Sequence, residues 1–372
     1  AVDATIHPRD EMLLHDLKDH DWDFALTSYF LRGLETASVH SQLLAHFLDG
    51  RRDIDLLDFA AGFGRVTRFF AAHHTPQRIV ASDIQAEAVE FQLRQFGVHA
   101  VLSSNNPADF KLHRNVQCVV ALSFFSHVSP SRFEQWLAAL AKPLDANGIL
   151  VFSVHDESLL DADRRDRSAI TFEHTSESDR LDSSEYGTTW VSEQYVREAV
   201  ARSCPERSVV RLPRGLGSFQ DLYVIHDGKR TGMFDFDQGP FGFASIARLF
   251  GDEFHLVGWA SHQNPARRVR EVVIELQRDV VARVESFFPR RDVVEHLGDD
   301  RHLRSGWHAR FRVPETASHL TGILIVKAVS DLGVATILYA GTIAGLLLAS
   351  CRAVSKQDDR EEFERRIAEL NV

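Results

Sequence analysis

Cysteine is nearly missing from this chain: three residues in 372, Cys118, Cys204 and Cys351, far apart and without a CxxC pair. That excludes a disulfide scaffold and a cysteine-built zinc site, and it fits a reducing compartment. Nineteen histidines carry no HxH or HExxH pattern, and the adjacent His73 and His74 do not share a helix face, so no metal site is expected. The first residues, AVDATIHPRDEM, lack a basic stretch followed by an apolar one. No secretory leader is predicted, and a cytoplasmic location is expected. Positive charge is also short. Lys and Arg number 42 against 53 Asp and Glu, for a net charge of −11 with no basic stripe. A nucleic-acid backbone is repelled by that balance, so nucleic acid is not an expected partner. Only one stretch, residues 332–351, is free of charge over a length that could cross a bilayer. Glycine and threonine interrupt it, and β-branched residues fill its first half. It reads as a buried strand, then a turn and a packed helix, and no membrane span is expected.

What is present is a soluble globular composition, 44% hydrophobic and 26% charged, in a chain long enough for two or three structural units. Residues 1–50 read as a helical N-terminal cap ending at Gly50. From there, apolar runs at 54–58, 78–83, 99–104, 116–123 and 148–155 alternate with helical patterns at 66–73, 86–97 and 131–144. Uninterrupted apolar strands between helices predict a doubly wound parallel sheet covered on both faces, an α/β fold. Residues 156–190 are polar and without period, and predict a lid or surface insertion. Ser192 opens another helix, and two strands around 209–226 predict an antiparallel hairpin closing the sheet. The composition then shifts. A Gly, Asp and Phe-rich linker is expected at 229–250. Short β-branched segments without intervening helices predict a β-sandwich at 251–345. A charged helical tail is expected at 346–372.

The stretch LLDFAAGFGRVTRFF, 56–70, carries the chemistry. Ligands of parallel sheets sit at the carboxyl ends of the strands, where strand order reverses. Asp58 stands at the end of the first strand, and Ala60, Ala61, Gly62 and Gly64 let the backbone pass close to a ligand there. The following helix aims its free N–H groups at the same place. Asp83 ends the second strand nineteen residues after Gly64, where an acid can accept from both hydroxyls of a ribose. A nucleoside-containing cofactor is the expected ligand. The third position of a dinucleotide GxGxxG is Thr67, and no P-loop lysine is present.

The segment DFAAGFGR resembles motif I of class I S-adenosylmethionine-dependent methyltransferases, with Ala60 at the first glycine position. The resemblance extends over residues 5–226, through HPRDEM, YFLRG, ASDIQAEAVEF, ALSFFSHV, GILVFSVH, YGTTWVS and FQDLYVI, to a bacterial subgroup associated with sugar and polysaccharide biosynthesis. It implies a Rossmann-like methyltransferase domain over 51–228, with S-adenosylmethionine as cofactor. It also implies roles. Asp58 would meet the methionine amino group, directly or through water. The backbone from Ala60 to Gly64, with Ala61 and Gly62 between, would pass beside methionine and ribose. Asp83 would hold the ribose hydroxyls, and Ile84 would pack on the adenine, with Ser103 and Ser104 at the adenine edge. Leu122 and Ser123 would line the methionine side. Tyr29 and Gly33 would close the pocket. The C-terminal segments resemble accessory sandwich domains of glycan-related bacterial proteins.

Methyl transfer to a hydroxyl benefits from a positioned base, and histidine suits neutral pH. His127 and His155 follow the fourth and fifth strands and are the candidate catalytic residues. Tyr186, Gln220 and Asp221 are further candidates near the acceptor. The expected acceptor is a small hydroxylated molecule, such as a sugar or nucleotide-sugar. Two other readings stay open: an NAD-dependent oxidoreductase, opposed by Thr67 and Asp58, and an inactive methyltransferase fold whose sandwich binds glycan or a partner chain.

Overall fold

A computed structural model of the protein describes residues 2–51, 53–161, 169–175, 183–230, 236–277, 279–313 and 322–353. The chain divides into two units. One holds Thr5–Glu11 and Thr36–Phe236; the other holds Ala1–Ala4, Met12–Glu35 and Asp237–Val372.

The first unit is built on five parallel strands. These are β1 (Leu56–Phe59), β2 (Ile79–Asp83), β3 (His99–Leu102), β4 (Val116–Ala121) and β5 (Leu144–Asp156), in the order 3-2-1-4-5. β1 and β2 are buried along their whole length, as apolar runs between helical layers should be. β9 (Gln220–His226) lies antiparallel beside β5, and β8 (Ser208–Leu216) pairs antiparallel with β9, so the hairpin does close the sheet. The expected Rossmann-like fold class is observed. Strand order reverses between β1 and β4, and this fixes where the crevice opens.

The helices of this unit follow from local signals. α3 (Thr67–His73) and α4 (Ala86–Phe96) follow β1 and β2, and α4 stops at Gly97, which is left-handed at φ 67°. α5 is Pro130–Ala141. α6 (Glu193–Ser203) starts at Ser192, whose hydroxyl accepts from the Tyr195 N–H at 3.1 Å. Phe125, Phe133, Trp136, Leu137, Leu150 and Phe152 pack together beneath the sheet. The stretch expected to be irregular holds a ribbon of β6 (Ile170–Glu173) and β7 (Thr188–Val191), with β7 parallel to the end of β5. Residues 162–168 and 176–182 of that stretch lie outside the described residues.

The second unit contains two antiparallel sheets. One has the order β10 (Pro240–Phe250), β11 (Glu253–His262), β15 (Arg304–Arg312), β14 (Phe288–Pro289). The other has the order β13 (Asp279–Val284), β12 (Val269–Leu276), β16 (Ile323–Ser330), β17 (Ala335–Thr342). Phe254, Leu256 and Trp307 from one sheet share a single apolar cluster with Ile274, Leu324 and Val326 from the other.

Two expectations are corrected here. Residues 240–250, expected as linker, form β10, paired with β11 along its length. A bulge between Ala244 and Ile246 breaks the two-residue alternation that would mark a strand. A helix, α7 (Arg291–Leu297), also interrupts the run of strands. The uncharged stretch 332–351 divides into β17 and α8 (Ile343–Ala353). Among the described residues no helix is long and apolar enough to cross a membrane. Of the expected charged tail, residues 354–372 lie outside the described residues.

A tight approach in the shared core is at Gly258, where an added Cβ would sit 2.3 Å from the Trp307 ring and 2.4 Å from the Phe243 carbonyl oxygen. Neither the buried indole nor the strand backbone can yield cheaply. Gly258→Ala should therefore destabilise the protein by roughly 2–3 kcal/mol, the cost of overpacking a filled core. Urea unfolding followed by tryptophan fluorescence would measure it, and an unchanged midpoint would show that the core is looser than described.

Candidate active site

The loop after β1 is pinned from three sides. The Ala61 N–H donates to the Ser82 carbonyl at 3.0 Å. The Gly62 N–H donates to Asp83 Oδ2 at 2.7 Å, and the Gly62 carbonyl accepts from Gln92 Nε2 of α4 at 2.7 Å. Ala60, Gly62 and Gly64 all take left-handed backbones, at φ 56°, 53° and 79°. At Gly64 there is also no room: a Cβ would lie 2.4 Å from the Phe96 ring. Ala60 therefore occupies the first glycine position of the resembling motif with the backbone that glycine would favour, at a strain cost of roughly 1 kcal/mol.

Asp58 lies near the carboxyl end of β1 and Asp83 ends β2. Asp83 Oδ1 accepts from the Gln85 N–H at 2.9 Å, so backbone donors reach both carboxylate oxygens, which keep acceptor capacity. Burial raises its pKa above the usual carboxylate range against those hydrogen bonds. Asp58 accepts from Thr67 Oγ1 at 2.6 Å. Burial, with a smaller push from the Asp83 charge, raises its carboxyl to about 7 against the Thr67 bond. Thr67 thus replaces the third glycine of a dinucleotide loop with a donor to Asp58, a function not read from the sequence.

The remaining expected cofactor residues line the same strand ends. Ile84 is half-buried directly after Asp83. The Ser103 N–H donates to the Asp83 carbonyl at 2.9 Å, and Ser104 Oγ accepts from the Asn106 N–H at 3.1 Å. Leu122 and Ser123 follow β4, and Ser123 is left-handed at φ 52°. The segment 5–11 packs on the loop from the N-terminal side. His7 stacks on Phe63 at 4.5 Å, and Arg68, buried, reaches the carbonyls of Gly64 and Thr5 at 3.1 and 3.0 Å. Tyr29 and Gly33 lie on α2 (Trp22–Phe47), in the part assigned to the second unit. Tyr29 is fully buried with its ring edge-on to Phe30.

Both histidines are buried at the carboxyl ends of their strands. Residues 185–189 are laced to 126–129. The Gly187 N–H donates to the His127 carbonyl at 2.8 Å, and the Thr189 N–H to the Ser126 carbonyl at 2.7 Å. His127 Nδ1 lies 2.7 Å from the Gly187 carbonyl oxygen, and its ring stacks on Tyr186 at 4.9 Å. The His155 ring is 6.0 Å from that of His127, with Trp190 and Phe219 as further ring neighbours. Gln220, at the start of β9, reaches His155 Nε2 at 3.2 Å through its Nε2, and accepts from Ser153 Oγ at 2.6 Å. Burial and the His127 ring push His155 down to about 4. Asp221 turns away from this cluster to Arg211, at 2.6 Å.

Residues 57–150 match a family model described as a methyltransferase domain. That match covers about a quarter of the chain. The match encloses Asp58, the loop 60–64, Asp83, Ile84, Ser103, Ser104, Leu122, Ser123 and His127; His155 and Gln220 fall beyond it. No curated protein matches the chain significantly. Among solved structures, the chain is similar to a 1,6-didemethyltoxoflavin-N1-methyltransferase of Burkholderia thailandensis solved with S-adenosylhomocysteine. The two are 18% identical over 52% of this chain and 79% of that one, with a TM-score of 0.37. It is also similar to a putative O-methyltransferase of Nostoc punctiforme, at 14% identity over 60% and 62% of the two chains and a TM-score of 0.40. An S-adenosylmethionine-dependent methyltransferase of Clostridium acetobutylicum gives 12% identity over 58% and 96%, with a TM-score of 0.40.

Two outcomes follow for the loop after β1. Ala60→Gly relieves the left-handed strain but adds freedom to the unfolded chain, so it should stabilise the protein by only about 0.5 kcal/mol. A loss of stability in thermal unfolding would show that the Cβ makes a contact worth more than the strain.

Asp58 sets a pH dependence. Its folded pKa of about 7 exceeds the ordinary 3.8. Between those values the folded state holds a proton that the unfolded chain has released, so stability falls as pH rises through that window. Asp58→Asn keeps an acceptor for Thr67 and should flatten this fall, gaining on the order of a few kcal/mol above pH 7. Urea midpoints at acidic and alkaline pH, compared between parent and variant, check it.

Proposed function

We propose that the chain transfers the methyl group of S-adenosylmethionine to a hydroxyl of a small molecule. The observation that carries this reading is Asp83. Its two oxygens are held by the Gly62 and Gln85 N–H groups at the end of β2, where remaining lone pairs can accept from two ribose hydroxyls. Asp58 supports it: a carboxylate buried at the end of β1 regains its charge when an ammonium group arrives beside it. Ala60, Ala61, Gly62 and Gly64 give the cofactor a backbone surface. Ile84, Ser103 and Ser104 are read as its adenine side, and Leu122 and Ser123 as its methionine side.

The cofactor supplies a methyl group already activated by its sulfonium, so the chain has to align the acceptor, exclude water and take a proton. His127 and His155 stand at the acceptor end, and Tyr186, Trp190 and Phe219 put apolar rings around them. A sugar or nucleotide-sugar is the first acceptor class to screen, on the resemblance carried by the segments from HPRDEM to FQDLYVI. The two antiparallel sheets are read as an accessory sandwich of such an enzyme.

Calorimetric titration with S-adenosylhomocysteine, with NAD in parallel, is the test. Micromolar binding of the former and none of the latter is expected. Asp83→Ala should abolish that binding while the thermal transition stays cooperative. Equal affinity in parent and Asp83→Ala would overturn the pocket.

A further inference from the structure

The two buried histidines at the acceptor end differ in what their hydrogen bonds allow. At His127 the partner of Nδ1 is the Gly187 carbonyl, which can only accept, so Nδ1 carries the proton and the neutral ring has its lone pair at Nε2. At His155 the direction runs through a relay from the loop after β4. The Ser123 backbone N–H can only donate, and it donates to Ser153 Oγ at 2.7 Å. The Ser153 hydroxyl then donates to Gln220 Oε1 at 2.6 Å, and Ser123 Oγ donates to the same oxygen at 3.3 Å. With its oxygen occupied by two hydroxyl donors, the Gln220 amide presents N–H to His155 Nε2 at 3.2 Å. The lone pair of His155 is thereby used inside the protein.

We propose that Gln220, oriented by Ser153 and Ser123, is a positioning residue that locks His155 as the neutral Nδ1–H tautomer, with the His155 lone pair held by the Gln220 amide. This rests on the methyltransferase reading for its use, but not for its geometry. The left-handed Ser123 now has a physical account. That backbone aims its N–H at Ser153, and the strain of a non-glycine residue there is offset by starting the relay. Two positive or potentially positive groups act on His155, His127 and Arg214, and both favour its neutral form. Trp190 and Phe219 add no charge, and the hydrogen bond to the Thr189 backbone, which favours the charged ring, is outweighed by burial and by His127.

Histidine-selective 15N NMR of the full chain reads this directly, without an acceptor substrate. In the parent, His155 should show an unprotonated Nε2 and a protonated Nδ1, flat from about pH 8 to about pH 5, where an ordinary histidine titrates. Gln220→Glu replaces the amide donor with a carboxylate. It should move the proton to Nε2 and raise the His155 midpoint by at least one unit, a tenfold or larger change in proton affinity. Gln220→Met removes donor and acceptor together, and should leave His155 in a mixture of tautomers while circular dichroism stays unchanged. A protonated Nε2 in the parent, an ordinary His155 titration, or an unmoved His155 signature in Gln220→Met would overturn the proposal. Failure of the parent to bind S-adenosylhomocysteine would instead remove the methyltransferase reading and leave this tautomer result standing.

Discussion

The bond between the Gly62 N–H and the Asp83 carboxylate holds the candidate site together. It ties the loop after β1 to the end of β2 at 2.7 Å, across the parallel pairing of the two strands. On its other side, the Gly62 carbonyl is tied to Gln92 of α4, so one peptide plane is fixed from both faces. The left-handed turns at Ala60, Gly62 and Gly64 are tolerable because these bonds over-determine them. The close packing of Gly64 on Phe96 then sets α4 against the loop. A ligand therefore meets a preformed backbone surface, and little ordering cost remains for binding.

Burial makes that surface electrostatically expectant. Asp58 and Asp83 are both buried, and the Asp83 charge adds to the cost of ionising Asp58, as Glu11 does for Asp83. No cation is among the groups that shift either acid. Such a pair is unfavourable for a fold taken alone and favourable for a cationic ligand, whose arrival restores the charge that desolvation suppressed.

The parallel sheet and the loop were legible in the sequence because their signals are local. Apolar runs alternating with helical periods give parallel strands, and the small residues from Ala60 to Gly64 lie within a few positions of Asp58. Asp83 was legible through its place at the end of the second strand. What could not be read depends on partners far apart along the chain. Gln220 and Ser153 meet across the β5–β9 pairing, and neither residue type announces a role alone. Thr67 reads as the failure of a glycine motif until its hydroxyl is found on Asp58. β10 was lost to a bulge, which removes the alternation that identifies a strand while keeping the pairing that makes one.

The acceptor end follows from the same sheet. β4 and β5 are neighbours, so the turns after them stand side by side, and β9 completes the row on the far side of β5. Three strand ends deliver four polar groups to one place: Ser123 after β4, Ser153 and His155 from β5, and Gln220 from β9. Two imidazoles alone in that buried space would compete for the same proton, because a charge on either disfavours a charge on the other. Giving one ring a carbonyl to donate to and the other an amide to accept from resolves the competition by hydrogen bonding instead of distance. The ring centroids are only 6.0 Å apart, yet the lone pair of His155 is turned toward Gln220, while Nδ1 of His127 is turned toward the Gly187 carbonyl. A sheet with antiparallel β9 beside β5 is what makes this possible, since only that placement brings the first residue of β9 to the level of the last residues of β5.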